Sequence, residues 1–111
     1  EKDQDTYRKY RILAYTTGQY RAYQNLVNQK IYDMALDSLI STIGRCEEYS
    51  SDAKELGCEG EISDIQAKAE EALEAFKIDT EKALEVYDMK DRTAYSKEIY
   101  QILDDAGLSE E

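Results

Sequence analysis

Tyr7, Tyr10, Tyr15, Tyr20 and Tyr23 crowd around Gly18 in the first quarter of the chain, together with Arg8, Arg11 and Arg21. Guanidinium and phenol groups at such density can hold a small carboxylate or an aromatic ligand, through forked charge-assisted hydrogen bonds and ring contacts. Arg11, Tyr15, Tyr20, Arg21 and Tyr23 are the residues that this reading selects as a ligand site. The competing account is structural: tyrosine rings fill a narrow helical bundle while their hydroxyls reach water. With 10 tyrosines against a single phenylalanine, the whole chain favours an aromatic residue that is apolar on one side and wet on the other.

Other chemistry finds little to build on. There is no histidine and no tryptophan, and the serines and cysteines have no obvious base, so the common nucleophilic triads and histidine metal sites are missing. A di-iron carboxylate bundle needs Glu-x-x-His pairs, which this composition cannot supply. Glu70, Glu71, Glu74, Glu81 and Glu85 read as solvent-facing helix residues. The expectation is a non-enzymatic chain with neither cofactor nor metal. Cys46 and Cys58 could bridge only if the intervening helix unwound at Ser50-Ser51, because about ten helical residues place them roughly 15 Å apart. Cys46 is expected in the core and Cys58 as an exposed loop thiol.

The elements that must carry these residues are helices. Apolar residues recur at three- and four-residue steps, proline is absent, and the five glycines fall mostly where helices would stop. A first helix over residues 3–17 is expected to close at Thr16-Thr17-Gly18. A second, over residues 20–56, carries Tyr32, Leu36, Leu39, Ile43, Cys46, Ser50 and Ala53 on one stripe and Tyr20, Tyr23, Val27, Ile31 and Met34 on another. Two apolar stripes require either a break near Asn28–Lys30 or cover from a further helix or subunit. Gly57 is the strongest stop. A third helix holds Ile62, Ala69, Leu73, Phe76, Ala83 and Val86, with Asp79 and Thr80 as polar interruptions. A fourth, capped by Asp91 or Thr93, carries Tyr95, Ile99, Ile102 and Leu103 to Gly107.

These elements predict an all-α fold: an antiparallel, up-and-down bundle of about four helices on a long central hairpin, spanning residues 1–111 as one domain. The hairpin should bring both ends of the chain out together. Either the short helices fold back on the long pair, or two copies complete the bundle as a homodimer.

The 111 residues carry a net charge of −11, and residues 50–111 hold all of the excess. So acidic a surface repels phosphate backbones and anionic headgroups, which argues against nucleic acid and peripheral membrane binding. No stretch reaches the ~20 apolar residues of a membrane span. The chain begins at Glu1 without methionine, as an excised or processed piece of a longer protein would, and membrane segments could flank it on both sides.

Tyr10-Arg11-Ile12-Leu13-Ala14-Tyr15-Thr16-Thr17-Gly18, followed by Tyr20 and Tyr23-Gln24-Asn25, resembles the helix–Thr-Gly–helix segment of extracytoplasmic sensor domains in chemoreceptors and sensor kinases. These are the four-helix-bundle, helical-bimodular and CHASE3-like families. Ile62-Ser63-Asp64-Ile65 and Ala72-Leu73-Glu74-Ala75-Phe76 are similar to their third helix, and the likeness covers roughly residues 7–88. Those families usually place an acidic residue or asparagine after the Thr-Gly, where this chain has Gln19. The resemblance implies a homodimeric ligand-sensing domain of a methyl-accepting chemotaxis receptor or a related signalling protein. Such a domain lies outside the cell membrane between two transmembrane helices, and a small molecule bound between its helices shifts the bundle. A different likeness, Tyr32-x-x-Ala35-x-x-x-Leu39, resembles the second helix of a tetratricopeptide repeat and implies a protein–protein interaction module. No second copy follows at a spacing near 34 residues.

Overall fold

A computed structural model describes residues 2–109, and all their regular structure is helical, without a strand. Five helices follow in order: α1 Lys2–Asn28, α2 Tyr32–Leu56, α3 Glu59–Ala72 continued by a 3-10 turn Leu73–Phe76, α4 Thr80–Tyr87 and α5 Arg92–Ala106.

The expected stop at Gly18 does not occur. α1 runs unbroken through Thr16-Thr17-Gly18, and Gly18 is not among the residues with positive φ. Thr16, buried against α2, gives its hydroxyl proton back to the Ile12 carbonyl at 3.0 Å, which leaves the local helix satisfied. Packing along α2 outweighs the helix-weakening glycine, whose intrinsic cost is only about 1 kcal/mol. The break comes instead at Gln29–Ile31, where Lys30 takes a left-handed φ of 62° and Ile31 donates its N–H to Leu26.

α2 closes where expected. Gly57 adopts φ 78°, and the N–H of Cys58 reaches the Ala53 carbonyl at 2.9 Å. Gly107 ends α5 in the same way, with the Leu108 N–H on Leu103 at 2.8 Å. Between them the glycine-free arm divides twice. Lys77, at φ 59°, ends the 3-10 turn, and Asp79 is not an interruption within a helix but the cap of α4, accepting from the Lys82 N–H at 2.8 Å. Asp91 caps α5 as expected, through the N–H groups of Thr93 and Ala94.

Two apolar clusters hold these helices. The larger gathers Leu36, Leu39, Ile40 and Ile43 of α2 with Leu73, Phe76, Val86, Ile99, Ile102 and Leu103. At roughly 1.5–3 kcal/mol for each large side chain fully buried, it dominates the favourable side of folding. The smaller joins Ile12, Cys46, Ala53, Cys58 and Ile62. α1 is the least buried long element, with only Ile12 and Thr16 buried among its described residues.

The order of contacts fixes the path. The start of α1 lies beside the end of α2, where Arg8 meets Asp52, and α3 runs back along α2, with Gln66 against Glu47. Short α4 then descends until Tyr87 reaches Gly44, and α5 climbs again, pairing Tyr95 with Asp37 and Tyr100 with Asp33. Leu108 finishes beside Ile31 and Tyr32. The expectation of adjacent ends is therefore corrected. An odd number of passes leaves the first and last described residues at opposite ends of α2, in a body 52 Å long.

Candidate functional site

The continuous α1 separates the residues that the sequence grouped together. Arg11 and Tyr15, one turn apart, line a groove of about 440 Å³ between α1 and α2, together with Arg8, Tyr10, Tyr49 and Asp52. Tyr20 and Tyr23 form a second pair higher on the helix, their ring centroids 5.7 Å apart. Arg11 and Tyr20 are nine residues apart, or roughly 13 Å along the axis. Arg21 is exposed and lines neither place.

The upper pair is built into the core. Tyr23 sets its ring edge-on to Phe76 at 6.5 Å, both tyrosines pack on the larger apolar cluster, and burial pushes the Tyr23 phenol up, reinforced by Tyr20. For these two residues the structural account of the tyrosines fits the packing.

The lower groove keeps its polar groups at the surface. Arg11 lies over the Tyr7 ring at 5.8 Å and makes no ion pair among the described residues. Arg8 bridges Asp5 at 3.4 Å and Asp52 at 3.7 Å, tying the start of α1 to the end of α2. The cation that meets Tyr15 was not among the candidates. Arg45, from α2, stands over its ring at 4.9 Å, while Tyr49 approaches Tyr15 edge-on at 6.4 Å. Each such contact is worth about 0.5–1 kcal/mol at a half-exposed site. Glu48 holds the other side of Arg45 at 3.6 Å. Sequence spacing could have placed Arg45 and Tyr49 on one face of α2, but the partner on α1 depends on how the two helices align.

A second feature escaped the sequence altogether. Asp33 and Asp37, one turn apart on α2, accept hydrogen bonds from the hydroxyls of Tyr100 and Tyr95 on α5; the Tyr100 bond measures 3.1 Å. Burial, then the bond to Asp37, pushes the Tyr95 phenol well up, while exposed Tyr100 is raised chiefly by its bond to Asp33. Two grooves of about 500 Å³ each open beside this ladder and share Asp33 and Tyr100. One is closed off by Leu103, Asp104 and Leu108, and the other holds Met34, Met89 and Tyr87.

The cysteines differ from expectation in one respect. Cys46 is buried as expected, but Cys58 is fully buried too, inside the smaller cluster rather than exposed in a loop, and both are free thiols. The Gly57 turn folds the chain back so tightly that the next residue lands on Ile62 and Ala53.

Among the described residues no group of three or more acidic or cysteine side chains is placed to hold a metal ion, and no helix is long and apolar enough to cross a membrane. No protein-family model, curated protein or solved structure matches the chain.

Proposed function

We propose that this chain is a non-enzymatic helical protein-interaction module that captures an acidic segment of a partner along α1 and its groove with α2. One observation carries the reading: α1 spans 27 residues yet buries only Ile12 and Thr16 among its described residues, and no aspartate or glutamate occurs between Thr6 and Tyr32 in a chain otherwise rich in them. Helices in folded proteins owe most of their stability to packing of an apolar face; α1 lays one face on α2 and leaves Tyr7 and Tyr10 uncovered on the other. Arg11 supplies a guanidinium that is in no ion pair among the described residues, and Tyr7 and Tyr10 supply exposed rings, the residue types enriched at protein interfaces.

The accompanying fold reading is an antiparallel bundle of four columns: α1, α2, α3, and the α4–α5 pair stacked on the upper half of α2. The sensor-domain reading, with its flanking membrane spans, homodimer and extracytoplasmic location, draws on the Thr-Thr-Gly likeness. It needs ends that emerge side by side, and these ends lie on opposite sides of the fold, so the interaction module is the better supported of the two.

The test is a titration of isotope-labelled protein with a helical peptide of glutamate, alanine and leucine. The amide signals of Tyr7, Tyr10, Arg11 and Tyr15 should shift, binding should weaken as salt rises, and Arg11→Glu should abolish it. Undisturbed α1 signals at saturating peptide would overturn the reading.

A further inference from the structure

We propose that the cleft between the start of α2 and the end of α5 binds a small organic ammonium ion carrying an aromatic or branched apolar body. The cleft encloses about 500 Å³ and lies at the opposite end of α2 from the groove of Arg11 and Tyr15, so it stands apart from the interaction reading above. Two left-handed turns build its walls. Lys30, at φ 62°, turns the chain from α1 into α2 and sets Ile31, Tyr32 and Asp33 along one side. Gly107, at φ 77°, turns the chain back so that the Leu108 N–H meets the Leu103 carbonyl at 2.8 Å, and both leucines line the cleft with Tyr100 and Asp104. Leu103 is buried and Ile31, Tyr32 and Leu108 are half-buried, so much of the lining is hydrocarbon or ring, while exposed Tyr100 and Asp104 meet water.

The charged groups that line the cleft are carboxylates alone, Asp33 and Asp104, and neither is in an ion pair among the described residues. Asp33 is fixed in place: one oxygen accepts the Met34 N–H at 2.8 Å and the other the Tyr100 hydroxyl at 3.1 Å, which leaves lone pairs for a further donor. Asp104 stands in the last turn of α5, where Asp105 follows it and no basic residue offsets the negative end of the helix dipole. Lys30 is exposed one residue before Ile31 and does not line the cleft; Lys90 and Arg92 line the neighbouring groove, which shares only Asp33 and Tyr100 with this one. An ammonium group satisfies the two carboxylates, the Tyr32 and Tyr100 rings add the attraction of aromatic faces for cations, and the apolar body covers the leucines. A bare metal ion would find too few oxygen ligands and would leave that lining uncovered. The net charge of −11 draws cations toward the chain from a distance.

Titration of isotope-labelled protein with phenethylamine, protonated at neutral pH, provides the test. The amide signals of Tyr32, Asp33, Tyr100, Leu103 and Leu108 should shift together and saturate, with a Kd of about 1 mM or below for a ligand of this size. Phenethyl alcohol, which has the same body without the charge, and phenylacetate, which reverses it, should each bind at least about tenfold more weakly. Asp104→Asn should weaken the amine by about tenfold, and Asp104→Lys should abolish binding. Both changes sit at an exposed position near a helix C-terminus, where less negative charge is favourable, so circular dichroism should show the native helix content. Asp105 lies outside the cleft, where Gln101 donates to it at 3.0 Å, so Asp105→Asn should bind as the native chain does; this separates a built site from general attraction to an acidic surface. No saturable shift below about 10 mM amine, equal binding of phenethyl alcohol, or equal weakening by Asp105→Asn and Asp104→Asn would overturn the proposal.

Discussion

The ring of Tyr87, at the end of α4, lies so close over Gly44 of α2 that a methyl group added to the glycine would overlap its Cγ, Cδ1 and Cδ2 atoms. Gly44 is therefore the seat on which α4 rests. Gly44→Ala should destabilise the fold by about 1–3 kcal/mol through overpacking, despite a helix-propensity gain of up to ~1 kcal/mol. In a Tyr87→Ala background the same change should turn stabilising. Urea denaturation of the four species gives the sign, and a loss of equal size in both backgrounds would contradict the contact.

Lys30 and Lys77 are the only non-glycine residues with positive φ among those described, at 62° and 59°. A left-handed conformation costs a side-chain-bearing residue roughly 1–2 kcal/mol, so Lys77→Gly should be neutral or stabilising by up to ~1 kcal/mol after the entropy of the unfolded glycine is subtracted. Lys82→Gly, inside α4, should lose at least as much, because it also removes the 2.7 Å ion pair to Glu98 of α5. Thermal melts of the two variants should move in different directions.

Tyr95→Phe should cost more than Tyr100→Phe. Both hydroxyls bond to carboxylates, but Tyr95 is half-buried while Tyr100 is exposed and its bond competes with water. About 1–2 kcal/mol is expected for Tyr95 and below ~1 kcal/mol for Tyr100, and amide exchange along α5 should quicken more in the Tyr95 variant.

Alkaline pH should unfold the chain. Burial, with Glu70 adding to it, pushes the Cys46 thiol up to about 12, and the phenols of Tyr23, Tyr87 and Tyr95 are raised as well. The folded state keeps protons that the unfolded chain releases. Cys46's contribution is thus complete below about pH 8.5 and is lost as pH rises through the folded thiol's range, with the phenols following above about pH 10. Urea midpoints should fall from pH 8 to pH 10, and less steeply in Cys46→Ala. A thiol reagent at pH 8 should find neither cysteine until the chain unfolds; prompt reaction at Cys58 would contradict its burial.

What could be read from the sequence follows the range of the forces involved. Gly57, Gly107 and Asp91 act on their own turn of chain, and all three end or begin helices as expected. Gly18 and Lys77 show the limit. A glycine on an exposed helix face is merely tolerated, and a lysine forced left-handed by the packing of Phe76 and Ile78 carries no sign of it in its residue type. Those two positions misplaced the breaks, and the number of passes and the location of the ends went wrong with them. In the site, Arg11 and Tyr15 lie together because they are one turn apart. Arg45 and the Tyr–Asp ladder depend on alignment between distant segments, which helical spacing does not encode.

The odd number of passes makes the fold a strut. A hairpin joins whatever is attached to its two ends, whereas this chain holds such attachments on opposite sides, with the length of α2, roughly 37 Å at 1.5 Å per residue, between them. Inserted into a longer polypeptide, it would set a distance.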